Sequence, residues 1–131
     1  MGPEYKLDDF ISACADVNRV WVRDKAQKDA QKDFKLTTKI ELLHFIHHGG
    51  LEDPRHYNTK PWEQNPDKST EIMIDAYCFF SGLKYGYIAF RFNAKIDKWY
   101  IKSFKFNRDP DPRNLPFAGL SGLILCKKLE D

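Results

Sequence analysis

The stretch Tyr85–Asn107, YGYIAFRFNAKIDKWYIKSFKFN, contains two runs of alternating apolar and polar side chains, joined by a short turn. A period of two is typical of a strand that buries one face. The two runs therefore predict an antiparallel hairpin with strands at 85–93 and 98–107. The residues expected to face the core in the first strand are Ile88, Phe90 and Phe92.

A third strand precedes this hairpin. The segment 71–80, EIMIDAYCFF, alternates in the same way and connects to the hairpin through a turn at 81–84. Three consecutive strands with short turns predict an antiparallel meander across 71–107. The prolines of RDPDPRNLP end the sheet, and the tail 108–131 contains one possible short element, an edge strand or a turn of helix.

The first 48 residues are predicted to be mainly helical. One apolar stripe predicts a first helix at 6–17, and its members are Leu7, Phe10, Ile11, Cys14 and Val17. Thr38 and Glu41 match a capping box that starts another helix, which Gly49 ends. Between them, VNRVWV fits either a short strand or more helix, and AQKDAQKD favours a helix without an apolar face.

Residues 49–70 show no periodicity and predict a long loop. The 131 residues can bury a core as one domain. The predicted fold class is therefore α+β, with N-terminal helices packed on a C-terminal antiparallel β-meander of three to four strands.

Charge is distributed unevenly along the chain. The net charge is only +2, but seven cations and one carboxylate lie between residues 83 and 108. The polar face of the hairpin then mixes tyrosines with cations, and such a face can bind a phosphodiester and stack a base. Alternatively, the lysines keep an aromatic sheet in solution and protect its edge.

The cysteines and the N-terminus bear on location. Cys14, Cys78 and Cys126 have no CxxC spacing, which predicts reduced, structural thiols. The polar, acidic start MGPEYKLDDF does not resemble a signal peptide. No apolar run approaches the roughly 20 residues of a membrane span. We therefore expect a cytoplasmic protein.

The histidines offer a metal site or a catalytic group. His44 and His48 are four residues apart and share a helical face, a spacing that can hold a metal. A third ligand would have to be His56 or Asp53, and the HExxH pattern is missing. We predict no metal and no cofactor, with surface histidines or a catalytic histidine as the remaining alternatives.

The hairpin's end, YIAFRF…WYIKSFK from Tyr87 to Lys105, resembles the end of the sheet in small RelE-like and MqsR-like ribonuclease toxins. In the MqsR-like pattern a tyrosine opens the penultimate strand, and a lysine follows a Ser-Phe pair in the last one. Tyr87 and Lys105 match those positions, and Lys60 would match a further lysine. The chain departs from the pattern by its longer N-terminus, its tail after Asn107 and the lack of the family's glutamine.

The resemblance implies a sheet whose polar face cleaves messenger RNA without a metal. A 2′-hydroxyl would attack the adjacent phosphate, which leaves a cyclic phosphate and a free 5′-hydroxyl. The expected catalytic residues are Tyr87, Lys105, His56 and His48. The expected RNA-binding residues are Arg91, Lys60, Lys98, Lys102 and Trp62. Strict alternation places Lys102 on the opposite face from Lys105, so both serve one site only if a bulge intervenes.

The expected function is thus a metal-independent, toxin-like endoribonuclease that acts on single-stranded messenger RNA, with a small protein antitoxin as partner. The alternative is a non-catalytic module that binds a protein or a nucleic acid, of the antitoxin, immunity or phage accessory type. The basic face favours RNA, whereas the near-neutral net charge favours a protein partner.

Overall fold

A computed structural model describes residues 2–63, 65–66 and 71–114. The helices are α1 (Leu7–Ala13), α2 (Asp24–Phe34) and α3 (Lys39–His47). The strands are β1 (Val20–Val22), β2 (Glu52–Pro61), β3 (Met73–Ser81), β4 (Lys84–Asn93) and β5 (Lys98–Phe106). Short 3₁₀ turns occupy Val17–Arg19 and Pro112–Asn114. None of the helices in these ranges has the length and apolar character to cross a membrane.

The five strands form one mixed sheet in the order β1-β5-β4-β3-β2. Strands β3, β4 and β5 pair antiparallel, at nearly the predicted bounds. The predicted fold class is nevertheless wrong. Strand β1 interrupts the helices and pairs parallel to β5, so the sheet is mixed, and β2 adds a strand that the meander lacks. The β-branched and aromatic residues of VWV favour the strand alternative for this segment.

Strand β2 lies inside the segment predicted to be a loop. It is an edge strand, paired only with β3, and its register shifts between Glu52 and Arg55 and again between His56 and Asn58. Asp53 also has a positive φ of 45°. Because each irregularity resets which face a side chain takes, the apolar and polar residues of β2 do not alternate.

The helices agree better with the sequence. Helix α1 is shorter than predicted because the chain enters the 3₁₀ turn at Val17. Helix α2 does have a buried face, formed by Ala26, Ala30 and Phe34 at successive intervals of four residues, so the prediction of a helix without an apolar face is wrong. The capping box that starts α3 is confirmed, since Thr38 and Glu41 exchange both hydrogen bonds.

The helices cover one face of the sheet and form the main core there. The ring of Phe10 on α1 stacks on Phe90 of β4 with centroids 4.0 Å apart and planes within 4°. The sheet residues of this core are Val20, Tyr77, Phe79, Ile88, Phe90, Trp99, Ile101 and Phe104. The opposite face carries two smaller apolar clusters, with buried members Ile74, Ala76, Ala89, Cys78 and Tyr85. We call this second face the open face.

The segment before α1 is fixed to the sheet by Asp75, a fully buried carboxylate on β3. Its two oxygens accept hydrogen bonds from the backbone N–H groups of Glu4 and Tyr5, at 2.9 and 2.8 Å. A third bond comes from the hydroxyl of Thr59 on β2, at 2.6 Å. One buried acid thus connects the N-terminal segment with two strands.

The cysteines differ from one another. Cys14 is a buried free thiol, and burial raises its pKa to about 12. Cys78, in contrast, is disulfide-bonded, so the prediction of a reduced thiol is wrong at this residue. Cys126 and the predicted element of the tail lie outside the described residues.

A glycine in β4 permits the packing of one core ring. A Cβ on Gly86 would lie 2.7 Å from Cε1 and Cε2 of Phe79, whose side chain is fully buried. We expect Gly86→Ala to lower the free energy of unfolding by roughly 1–3 kcal/mol, the usual cost of overpacking, measured by urea denaturation. In a Phe79→Leu background the same change should cost much less, because the clashing ring atoms are gone. An equal cost in both backgrounds would contradict this explanation.

Candidate nucleic-acid interface on the open face

An open cavity of about 440 Å³ lies on the open face, between β2, β3, β4 and β5. Four cationic residues line it, and they are Lys60, Lys102, Lys105 and Arg108. Two carboxylic acids, Glu63 and Asp109, and two tyrosines, Tyr57 and Tyr87, complete its charged and aromatic lining. We call this cavity the basic pocket, because its cations outnumber its carboxylates.

A β-bulge in β5 brings two lysines to this pocket. Ala89 pairs with Ser103 and the next residue, Phe90, pairs with Ile101, so Lys102 is an extra residue in β5. The alternation of β5 therefore shifts by one residue at this point. As a result Lys102 and Lys105 line the same pocket, which strict alternation excluded and which the sequence allowed only with a bulge.

Tyr87 and Lys105 form a cross-strand pair at the pocket. They are direct partners in β4 and β5, and Nζ of Lys105 lies 5.7 Å from the centroid of the Tyr87 ring. Burial, and then the positive charge of Arg108, lowers the pKa of Lys105. Burial raises the pKa of Tyr87 further above neutral pH, where a tyrosine hydroxyl already carries its proton. The pair offers a cation beside a proton donor.

A second tyrosine extends the aromatic surface. The rings of Tyr57 on β2 and Tyr87 on β4 meet edge to face, with centroids 5.9 Å apart. Burial, and then the negative charge of Asp109, raises the pKa of Tyr57. Half-buried rings at the margin of a cationic cavity are suited to stacking an unpaired base.

The two histidines expected to be catalytic lie elsewhere. His56 is on β2 but contacts the other face, where its ring is 5.5 Å from Tyr77 and its Nε2 is 2.8 Å from the Thr59 hydroxyl. His48 ends α3, with its ring 4.0 Å from that of His44. The positive charge of His44 is the largest cause that lowers the pKa of His48. The structure therefore does not bring either histidine to the basic pocket.

The residues expected to bind RNA do not all lie at the basic pocket. Lys60 and Lys102 line the basic pocket. Lys98 does not, because its Nζ donates a hydrogen bond to the carbonyl oxygen of Asn18. Arg91 and Trp62 contact each other beside the pocket, with the guanidinium carbon 4.5 Å from the Trp62 ring centroid. Two of the five expected contacts thus share the cavity, and two form a neighbouring group.

Sequence reasoning missed several residues of the pocket. Tyr57, Asn58 and Glu63 belong to β2 and its continuation, which the sequence did not show as a strand. Asn107, Arg108 and Asp109 follow β5, and only the excess of cations up to residue 108 pointed to them.

The described ranges contain no group of three or more His, Cys, Asp or Glu side chains arranged to hold a metal ion. Comparisons with known protein families, curated proteins and solved structures found no significant match. The resemblance to ribonuclease toxins thus rests on the residues of the hairpin alone.

Proposed function

We propose that this chain is a metal-independent endoribonuclease of the toxin type that cleaves single-stranded messenger RNA in the basic pocket. The bulge at Lys102 is the observation that carries the proposal. It brings Lys102 and Lys105 to the cavity that Tyr87 lines, so two cations and a proton donor line one cavity. The resemblance of the hairpin to the ribonuclease toxins supports the same pair, Tyr87 and Lys105.

In the proposed reaction the 2′-hydroxyl of one nucleotide attacks the adjacent phosphorus. A new O2′–P bond forms, the P–O5′ bond breaks, and the products are a cyclic phosphate and a 5′-hydroxyl. Lys102 and Lys105 stabilise the charge that develops on the phosphate oxygens. Tyr87, whose hydroxyl is protonated at neutral pH, gives its proton to the leaving 5′-oxygen.

The group that takes the 2′-hydroxyl proton must also lie at the pocket. Neither histidine does, so we assign this role to the carboxylate of Asp109, which lines the cavity and is half-buried. After burial, the negative charge of Asp109 is the next cause that raises the pKa of Tyr57, so the carboxylate acts on a residue of the same pocket. An acid and a base on different elements would then work on one phosphodiester.

The proposed activity also defines a location and a partner. Messenger RNA is translated in the cytoplasm, so the proposal places the protein there. An enzyme that destroys messages must be held inactive while its host grows, and a small protein antitoxin that covers the basic pocket would do this.

Labelled single-stranded RNA tests the proposal directly. We expect the purified chain to cut it with and without EDTA, giving 2′,3′-cyclic phosphate and 5′-hydroxyl ends. DNA of the same sequence should bind but stay intact, because it lacks the attacking 2′-hydroxyl. Binding without cleavage would leave a nucleic-acid-binding module. If the chain neither binds nor cuts RNA at low salt, the protein-interaction alternative is favoured.

A further inference from the structure

Arg91 packs against two aromatic rings on the open face, and the two rings also contact each other, with centroids 6.2 Å apart. Its guanidinium carbon lies 4.5 Å from the ring centroid of Trp62 and 5.3 Å from that of Tyr100, its direct partner in β5. The side chain is only 9% exposed. We call Arg91, Trp62 and Tyr100 the arginine slot. None of the three lines the basic pocket.

The guanidinium of the slot lacks the partners that a buried cation normally has. Its Nε and Nη1 are both buried and have no hydrogen-bond partner, and none of the described carboxylates forms an ion pair with it. Removing a cation from water is costly, and contact with two aromatic faces offsets only part of that cost. Burial also lowers the pKa of Arg91, although an arginine stays charged at neutral pH.

The slot and the basic pocket belong to one surface. Arg91 follows Tyr87 by four residues on the same face of β4, a separation of about 13 Å along a strand. Trp62 of the slot packs with Tyr57 and Tyr87 of the pocket on a single apolar cluster. An extended strand that enters the pocket can therefore reach the slot across this cluster.

We infer that the arginine slot is a second anion subsite, which binds a backbone phosphate of a neighbouring nucleotide while the scissile phosphate occupies the basic pocket. The inference rests on the proposed function for the identity of the strand. A phosphate supplies the negative charge and the acceptor oxygens that the guanidinium lacks, and charge-assisted bonds of this kind are strong. The neutral edge of a base would satisfy the donors but not the charge.

Binding to a single-stranded hexadeoxynucleotide tests the inference without any need for cleavage. Arg91→Met keeps a side chain that can pack against the two rings and removes the charge. We expect its affinity for the hexamer to fall roughly 10- to 100-fold, the range for a lost hydrogen bond to a charged group. The salt dependence should lose about one released counterion. Lys28→Met is the control, because Lys28 is an exposed cation on α2, on the other side of the sheet.

Stability separates a binding role from a structural one. If Arg91 serves only the fold, Arg91→Met should lower the midpoint of thermal unfolding. If it serves a ligand, the variant should be as stable as the wild type or more stable, because a buried unpaired charge has been removed. Unchanged affinity for the hexamer, or a lowered midpoint with the affinity loss, would overturn the inference.

A small anion distinguishes a strand phosphate from a free ion. Inorganic phosphate should bind Arg91→Met and the wild type with similar affinity if the slot works only as part of a strand-binding surface. Loss of inorganic phosphate binding alone, with the hexamer unaffected, would refute the assignment to a strand. Hexamer binding that depends on Arg91, in a protein that does not cut RNA, would keep the subsite and remove the proposed ribonuclease activity.

Discussion

Replacing Asp75 with alanine is expected to lower the free energy of unfolding by about 3 kcal/mol or more. The carboxylate accepts hydrogen bonds from the N–H groups of Glu4 and Tyr5 and from the Thr59 hydroxyl, and it is fully buried. Alanine would leave these three donors without their acceptor. For a domain of this size the midpoint of thermal unfolding should fall by roughly 10 °C.

Two variants calibrate this expected loss. Thr59→Val removes one of the three bonds and keeps the carboxylate, so it should cost about 1 kcal/mol. Asp9→Ala removes an exposed acid from the first turn of α1 and should cost less than about 1 kcal/mol. Asp75→Ala should also expose the backbone around Glu4 and Tyr5 to protease. If Asp75→Ala were no less stable than Asp9→Ala, the carboxylate would not hold the N-terminal segment.

The sequence predicts the hairpin well because its apolar and polar side chains alternate, which indicates the face of the sheet that each one occupies. Ile88 and Phe90 alternate with Tyr87 and Ala89, and the structure places the two sets on opposite faces of β4. Strand β2 could not be recognised in this way, since an irregular edge strand has no fixed period and two of its positions, Pro54 and Pro61, are prolines. The parallel pairing of β1 with β5 could not be predicted either, because the sequence of a three-residue strand does not indicate which strand it pairs with or in which direction.

Only part of the candidate site could be predicted from the sequence. Tyr87 and Lys105 were predicted from the resemblance of the hairpin's end to the ribonuclease toxins, but they face each other only because the bulge shifts the register by one residue. Strict pairing from the turn would place Tyr87 opposite Phe104. Lys102 was expected to contact RNA, but its position beside Lys105 could not be predicted, since a bulge is a property of the pairing and not of either strand alone. The buried face of helix α2 was also missed, because the alanines at 26 and 30 form a packing face without the large apolar residues that make a stripe recognisable. The sequence did not show that His56 lies away from the pocket, because the face of this residue depends on the irregular register of β2.

Lys105→Ala and Tyr87→Phe are each expected to slow RNA cleavage by roughly 10- to 1000-fold, the range for loss of one charge-stabilising or proton-transferring group. Both residues lie on the open face, away from the core beneath the helices, so the variants should unfold near the midpoint of the wild type. Lys28→Ala removes a cation from α2 and should cleave RNA at the wild-type rate. Induction in cells gives an independent readout, because the active chain should arrest growth and Lys105→Ala should not.

The pH dependence of cleavage can assign the cation. The pKa of Lys105 is lowered, so its ammonium is present below that pKa and is lost as pH rises through it, sooner than for an ordinary lysine. The rate should therefore fall on the alkaline side at a pH below the usual lysine range. Arginine keeps its charge at any such pH, so Lys105→Arg should move this limb upward even if it lowers the maximum rate. In Tyr87→Phe the limb should persist, because Lys105 is unchanged. An alkaline limb that stays in place in Lys105→Arg but disappears in Tyr87→Phe would assign the titration to the tyrosine and refute the role given to Lys105.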